Sequence, residues 1–154
     1  MKAADKELFN KVENVAKTVL GDLRTRGYVV PTKIDNSTID FDGYRVGKDI
    51  ENTYYIANRR NDLTVRYINL PQTAALLANR LALGKGIDES LLNEDRTYGF
   101  RQFDMQRYRQ SMKKNSKDID QYTFFETRLK IAEAQAKNSK NRIFDAFEKL
   151  RRLR

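Results

Sequence analysis

No cysteine and no histidine occur in this chain. Disulfides, thiolate or imidazole metal ligation, and nucleophiles built on Cys or on a Ser–His pair are therefore excluded. The absence of cysteine also fits a reducing compartment. Two prolines and seven glycines in 154 residues are too few for a disordered or low-complexity chain. Long apolar runs are lacking too. The most apolar stretch, Ala74 to Leu83, is interrupted by Asn79 and Arg80 and falls well short of the ~20 residues a bilayer needs. Met1 to Lys6 leads into a charged amphipathic segment without the apolar stretch of a secretory signal. The expectation is a soluble protein with no membrane partner.

Acidic residues are scarce at one end. Arg101 to Arg154 carry 15 Lys/Arg against 7 Asp/Glu, whereas the preceding 100 residues carry 15 against 14. Nearly all of the +9 net charge thus sits in a third of the molecule.

Periodicity gives the architecture. In residues 3–26, Leu8, Val12, Val15, Val19 and Leu23 form the stripe of an amphipathic helix, ended by Gly27 and Pro31. From Thr38 the period is two. Ile39 and Phe41, Tyr44 and Val46, Tyr54 and Ile56, then Leu63, Val65 and Tyr67 are separated by Asp42-Gly43 and other short polar turns. This predicts an antiparallel meander of three or four strands, which needs a cover on one face. Asn69-Leu70-Pro71 starts that cover, with Asn or Thr as cap and Pro in the first turn. Ala74, Leu77, Ala78 and Leu81 form its stripe, and Gly84 stops it.

A short helix, Asp88 to Asp95, is expected next, then a break at Gly99 and a second helix from about Arg101 to Lys114. After the turn Asn115 to Asp118, a helix is expected to run unbroken to Arg154. Its heptad seam reads Tyr122, Leu129, Ala136, Ile143, Leu150 and Phe125, Ala132, Ser139, Ala146, Leu153. At ~1.5 Å per residue it is about 50 Å long, and helix 101–114 is expected to cover only its first half. The distal half is then expected to project or to pack on another chain. The predicted fold is α+β: an N-terminal helix, a small covered meander, and a C-terminal helical hairpin with a long basic last helix. Residues 1–86 form the head and residues 87–154 the basic stalk.

Candidate chemistry is sparse. Arg96 to Arg109 interleaves four Arg with four aromatics and, with Lys113, Lys114 and Lys117, has the composition of a nucleic-acid surface. Against this, Met105, Tyr108 and Met112 have the spacing of a core-facing stripe, and buried aromatics cannot stack bases. Candidate contacts to nucleic acid or to an acidic partner are Arg101, Arg107, Arg109, Lys113, Lys114, Lys117, Lys137, Lys140, Arg142, Arg151, Arg152 and Arg154. The terminal arginines are explained in part by the helix dipole. Candidates for packing on a partner helix are Tyr122, Phe125, Leu129, Ala136, Ile143, Leu150 and Leu153. Asp40, Asp42, Gly43 and Asp49 partly mimic a calcium loop, but the flanking alternation is that of strands and a turn. Asp88 and Glu89 read as helix-start charges, and Glu94 and Asp95, being adjacent, point in different directions, so no acid–base pair is expected. Gly84-Lys85-Gly86 is a helix stop rather than a phosphate loop. No catalytic residue, metal, cofactor or small-molecule substrate is predicted.

Asn69 to Gly84, then Glu94-Asp95-Arg96-Thr97-Tyr98-Gly99, then the basic helical C-terminus resemble small proteins of large contractile-tailed, T-even-type phages of marine bacteria. The resemblance spans roughly residues 40 to 150. It implies a viral setting, in the host cytoplasm during assembly or in the virion, and brings no functional residues. In that setting the leading expectation is a non-enzymatic structural or assembly protein, whose basic arm packs on neighbouring subunits or on the genome. Its partners are other virion proteins or further copies of itself. The alternative is a sequence-nonspecific nucleic-acid-binding accessory.

Overall fold

The computed structural model describes residues 38–151, the strand at 32–33, and residues 10, 11 and 14. The helix expected over residues 3–26 lies outside the described residues, apart from Asn10, Lys11 and Asn14, which are helical. The class is α+β, with one antiparallel sheet and a long last helix. The sheet is a simple meander of β1 (Thr32–Lys33), β2 (Thr38–Phe41), β3 (Tyr44–Lys48), β4 (Tyr54–Ala57) and β5 (Leu63–Ile68), in that spatial order. The expected strands are β2 to β5, and the two-residue β1 is an addition at the edge.

Local chemistry explains the turns. Phe41 pairs with Tyr44 across Asp42-Gly43, and both turn residues have positive φ, 53° and 98°. A two-residue hairpin with right-handed strand twist requires this, and Asp-Gly adopts it readily. The Asp40 carboxylate accepts from the Gly43 N–H at 3.0 Å and closes the turn. Asp42 meets Arg59, and Asp49 meets Arg66, so these carboxylates hold separate partners and do not converge.

One face of the sheet buries Ile39, Phe41, Val46, Ile56, Val65 and Ile68 beneath α1 (Pro71–Ala82). Ala74, Ala75 and Ala78 let α1 approach closely, and Leu77 fills the gap. Each large side chain buried in this way contributes about 1.5–3 kcal/mol.

Strict alternation fails in β5. Tyr54 pairs with Ile68 and Ile56 with Val65, so β5 holds one residue more than β4 between those pairs. The extra residue is accommodated at Arg66-Tyr67, where Tyr67 has φ 58°. As a result Ile68 faces the core and Tyr67 is exposed, contrary to the period-two expectation; Leu63 is exposed as well.

α2 (Glu89–Lys114) starts at Asp88, whose carboxylate accepts from the Leu91 N–H at 3.1 Å, and continues through Gly99. The expected break into two helices is therefore corrected. Gly99 answers a packing need: a Cβ there would stand 2.6 Å from Asn69 Cγ. Asp118 accepts from the Gln121 N–H and caps α3 (Ile119–Arg151), which returns antiparallel along α2.

The longer α2 changes how α3 is covered. Its buried stripe is Ala132, Ala136, Ser139, Ile143 and Phe147, with Phe125 and Leu129 half-buried ahead of it. The spacing follows the 3.6-residue turn of a straight helix rather than a 3.5-residue seam. Phe147 therefore faces inward, whereas Ala146 and Tyr122 are exposed. Side-chain placement at Leu150, and all of Leu153, lie outside the described residues. Ile143 and Phe147 join Leu91, Leu92, the sheet and α1 in one core. The expectation that the distal half of the last helix projects is thus overturned. The hairpin end around residues 115–118 projects instead, beyond a smaller cluster of Met105, Ala132 and Ala136.

Candidate interaction surface

The junction of sheet and hairpin is fixed by one buried carboxylate. Leu70, the cap residue of α1, has no side-chain cap of its own, and neither Asn69 nor Thr73 supplies one as the sequence had suggested. Asp95 on α2 serves the chain entering α1, accepting from the Asn69 N–H at 2.7 Å and the Leu70 N–H at 2.9 Å. The Asn69 side chain donates to the Asp95 carboxylate at 3.2 Å and to its backbone carbonyl at 3.1 Å. Burial raises the Asp95 carboxyl above its ordinary range, and these N–H donors oppose the rise. The role is positional: Asp95 ties α1 and β5 to α2.

A second buried carboxylate sets the far edge. The Asp49 oxygens lie 3.1 and 2.9 Å from Arg66 Nε and Nη2, and Asp49 also accepts from the Ile50 N–H at 2.9 Å. The Arg66 guanidinium holds the Asp49 carboxyl below its ordinary range, against the opposing effect of burial. The same guanidinium lies 4.7 Å from the centroid of the Tyr67 ring. Between Tyr67 and α2 runs an open groove of about 580 Å³, lined by Glu51, Thr53, Asn69, Arg96, Phe100 and Phe103 among others.

The candidate cations fall into groups. Arg101 and Arg107 share Asp104, at 3.4 and 3.2 Å, and Arg109 reaches Glu133 at 3.7 Å. Arg142 meets Glu94 at 3.0 Å near the base of the hairpin. Exposed pairs of this kind stabilise little, about 0–1 kcal/mol each. The Lys140 ammonium lies 5.2 Å from the Phe144 ring centroid. Lys113, Lys114 and Lys117 cluster at the projecting end, and Lys137 is exposed on α3. The Arg151 side chain and all of Arg152 and Arg154 lie outside the described residues. The cations therefore do not form one patch: they are distributed along both helices and concentrated at the tip.

Sequence reasoning passed over one surface, on α3, and left the rings of another, on α2, between base stacking and the core. On α3, Ile119 is 80% exposed, Phe124 50% and Ile131 49%, with the Arg128 guanidinium 5.1 Å from the Phe124 ring centroid. On α2, Met105 is buried and Tyr108 and Met112 are half-buried, as their spacing had suggested, yet Phe100 and Phe103 are 70% and 63% exposed. Phe103 and Phe100 lie two and five residues before Met105, roughly 160° and 140° around the helix from it, and that angle was the available signal. Among the described residues no helix is long and apolar enough to cross a membrane. Comparison of the chain with family models, with curated proteins and with solved structures gives no match.

Proposed function

We propose that this chain is a non-enzymatic assembly protein of a virion, in which the projecting helical hairpin packs on neighbouring protein subunits. The observation that carries the reading is the tip of the arm. Ile119, Phe124 and Ile131 stand in water on a helix whose other face is already satisfied by α2. Phe124 and Ile131, seven residues apart, share one face of this helix, and apolar side chains exposed together on a projecting element are a feature of interaction surfaces. The surrounding Arg128, Lys113, Lys114 and Lys117 favour an acidic counterpart and speed its encounter. The viral setting rests on the resemblance carried by Asn69 to Gly84 and Glu94 to Gly99.

Sedimentation velocity over a range of protein concentrations, together with fractionation of assembled particles, tests the proposal. The wild-type chain self-associates or travels with the particle, and the Phe124→Ser/Ile131→Ser double variant stays folded but does neither. A wild-type chain that is monomeric at every concentration and missing from particles would refute it.

A further inference from the structure

The outward face of α2 reads Arg96, Phe100, Phe103, Arg107, Gln110, Lys114, spaced 4, 3, 4, 3 and 4 residues apart. At 100° per residue these six positions lie on one narrow stripe about 27 Å long. All six are exposed and none is acidic. Two adjacent rings, Phe100 and Phe103, are flanked by Arg96 and Arg107, and no aliphatic side chain interrupts the stripe. That distinguishes it from the α3 surface, where Ile119 and Ile131 dominate. At its N-terminal end the stripe lines, together with Tyr67, the groove described above.

The placement of Tyr67 is specific. A non-glycine residue with φ 58° inside a strand is uncommon and strained. The bulge, the Asp49–Arg66 pair and a 3.4 Å contact from the Tyr67 N–H to Asp49 hold it there. The consequence is a third aromatic residue lining the same groove as Phe100 and Phe103, together with Asn69 and Thr53. Glu51 is the acidic residue among the groove-lining side chains, and Arg96 is the basic one.

Exposed rings present faces on which flat heterocycles stack, and cations a turn away meet the phosphates that link such heterocycles. A duplex hides its base faces and would use the cations alone. We infer that this face of α2, with the Tyr67 groove at its end, is a binding track for single-stranded nucleic acid: Tyr67, Phe100 and Phe103 stack bases, and Arg96, Arg107 and Lys114 hold phosphates. Stacking of this kind tolerates any base, so the track discriminates strandedness rather than sequence. Asp104, between Arg101 and Arg107, leaves that trio with one net positive charge. This surface is separate from the Phe124–Ile131 face of the assembly reading, so either can fail without the other.

Fluorescence anisotropy of the full-length chain with a labelled oligothymidine, and with a duplex of equal length, tests the inference. The single strand binds more tightly. Its log-affinity falls with log salt with a slope of about −2, the value for three phosphates contacted in a single strand. Phe100→Ala and Phe103→Ala each weaken single-strand binding by roughly ten-fold or more without changing the slope. Phe103→Leu weakens it comparably, because a leucine has no ring to stack. The chain contains no tryptophan. Phe103→Trp therefore supplies a unique indole that keeps the affinity and is quenched as the oligonucleotide binds. Thermal melting verifies that each exposed-site variant remains folded. Absence of single-strand binding at low salt would overturn the inference. So would equal affinity for the duplex with the Phe variants unaffected, or full binding by Phe103→Leu.

Discussion

Gly99→Ala gives the sharpest test of how sheet and hairpin are joined. Alanine ordinarily stabilises a helix interior by about 1 kcal/mol relative to glycine. Here the added Cβ would stand 2.6 Å from Asn69 Cγ, so the Asn69 amide must move. Moving it breaks two hydrogen bonds to Asp95, at 3.1 and 3.2 Å, one of them to a buried carboxylate. Such bonds are worth about 1 kcal/mol when neutral and about 1.5–3 kcal/mol when charged. The net effect is a loss of roughly 1.5–3 kcal/mol, and at 2–4 °C per kcal/mol for a chain of this size Tm falls by roughly 3–12 °C. The Asn69→Ala background removes the colliding amide. There the same Gly99→Ala change raises Tm by about 2–4 °C, the helix-propensity gain alone. Scanning calorimetry or CD melting of the four proteins reads this reversal of sign. A higher Tm for Gly99→Ala in the otherwise wild-type chain would refute the account of Gly99 as the seat of Asn69.

Ile143→Ala should cost about 2–5 kcal/mol in urea unfolding, because the side chain is fully buried between α3 and the head; a loss under ~0.5 kcal/mol would mean that this end of α3 does not close the core. The Asp49 carboxyl is held below its ordinary range by Arg66, so its contribution is present above the unfolded value of about 3.9 and is lost as pH falls through the lower folded value. The stability gap between wild type and Asp49→Asn should therefore shrink as unfolding is measured from pH 6 down to pH 2, and a gap that stays constant would reject the ion pair as its source.

The legible parts of the fold were those written in short-range chemistry. Asp42-Gly43 fixed a hairpin, Ala74 and Leu77 fixed the cover of the sheet, and Asp118 fixed the start of the last helix. The illegible parts depend on neighbours distant in sequence. Gly99 reads as a helix stop until Asn69 is placed against it, 30 residues away in sequence. Tyr67 reads as an inward strand residue until the extra residue in β5 shifts the register. The α3 stripe was nearly right, but a heptad template drifts about 20° per repeat against a straight helix, enough to exchange Ala146 for Phe147 over its length. The mixture of Arg and aromatics over residues 96–109 was legible, but composition alone did not tell which rings face outward; that needed their angle to Met105.

Ile143 and Phe147 also constrain when the protein can fold. They complete a core whose other members begin at Ile39, about a hundred residues earlier. On a ribosome the sheet and α1 emerge first with their apolar face partly open, and a chain made at ~5–20 residues per second waits several seconds for α3 to arrive. During that interval the head is a nascent domain without its last wall. Closure belongs to the end of synthesis: a chain stalled ahead of residue 143 lacks the Ile143 and Phe147 side chains that complete this cluster.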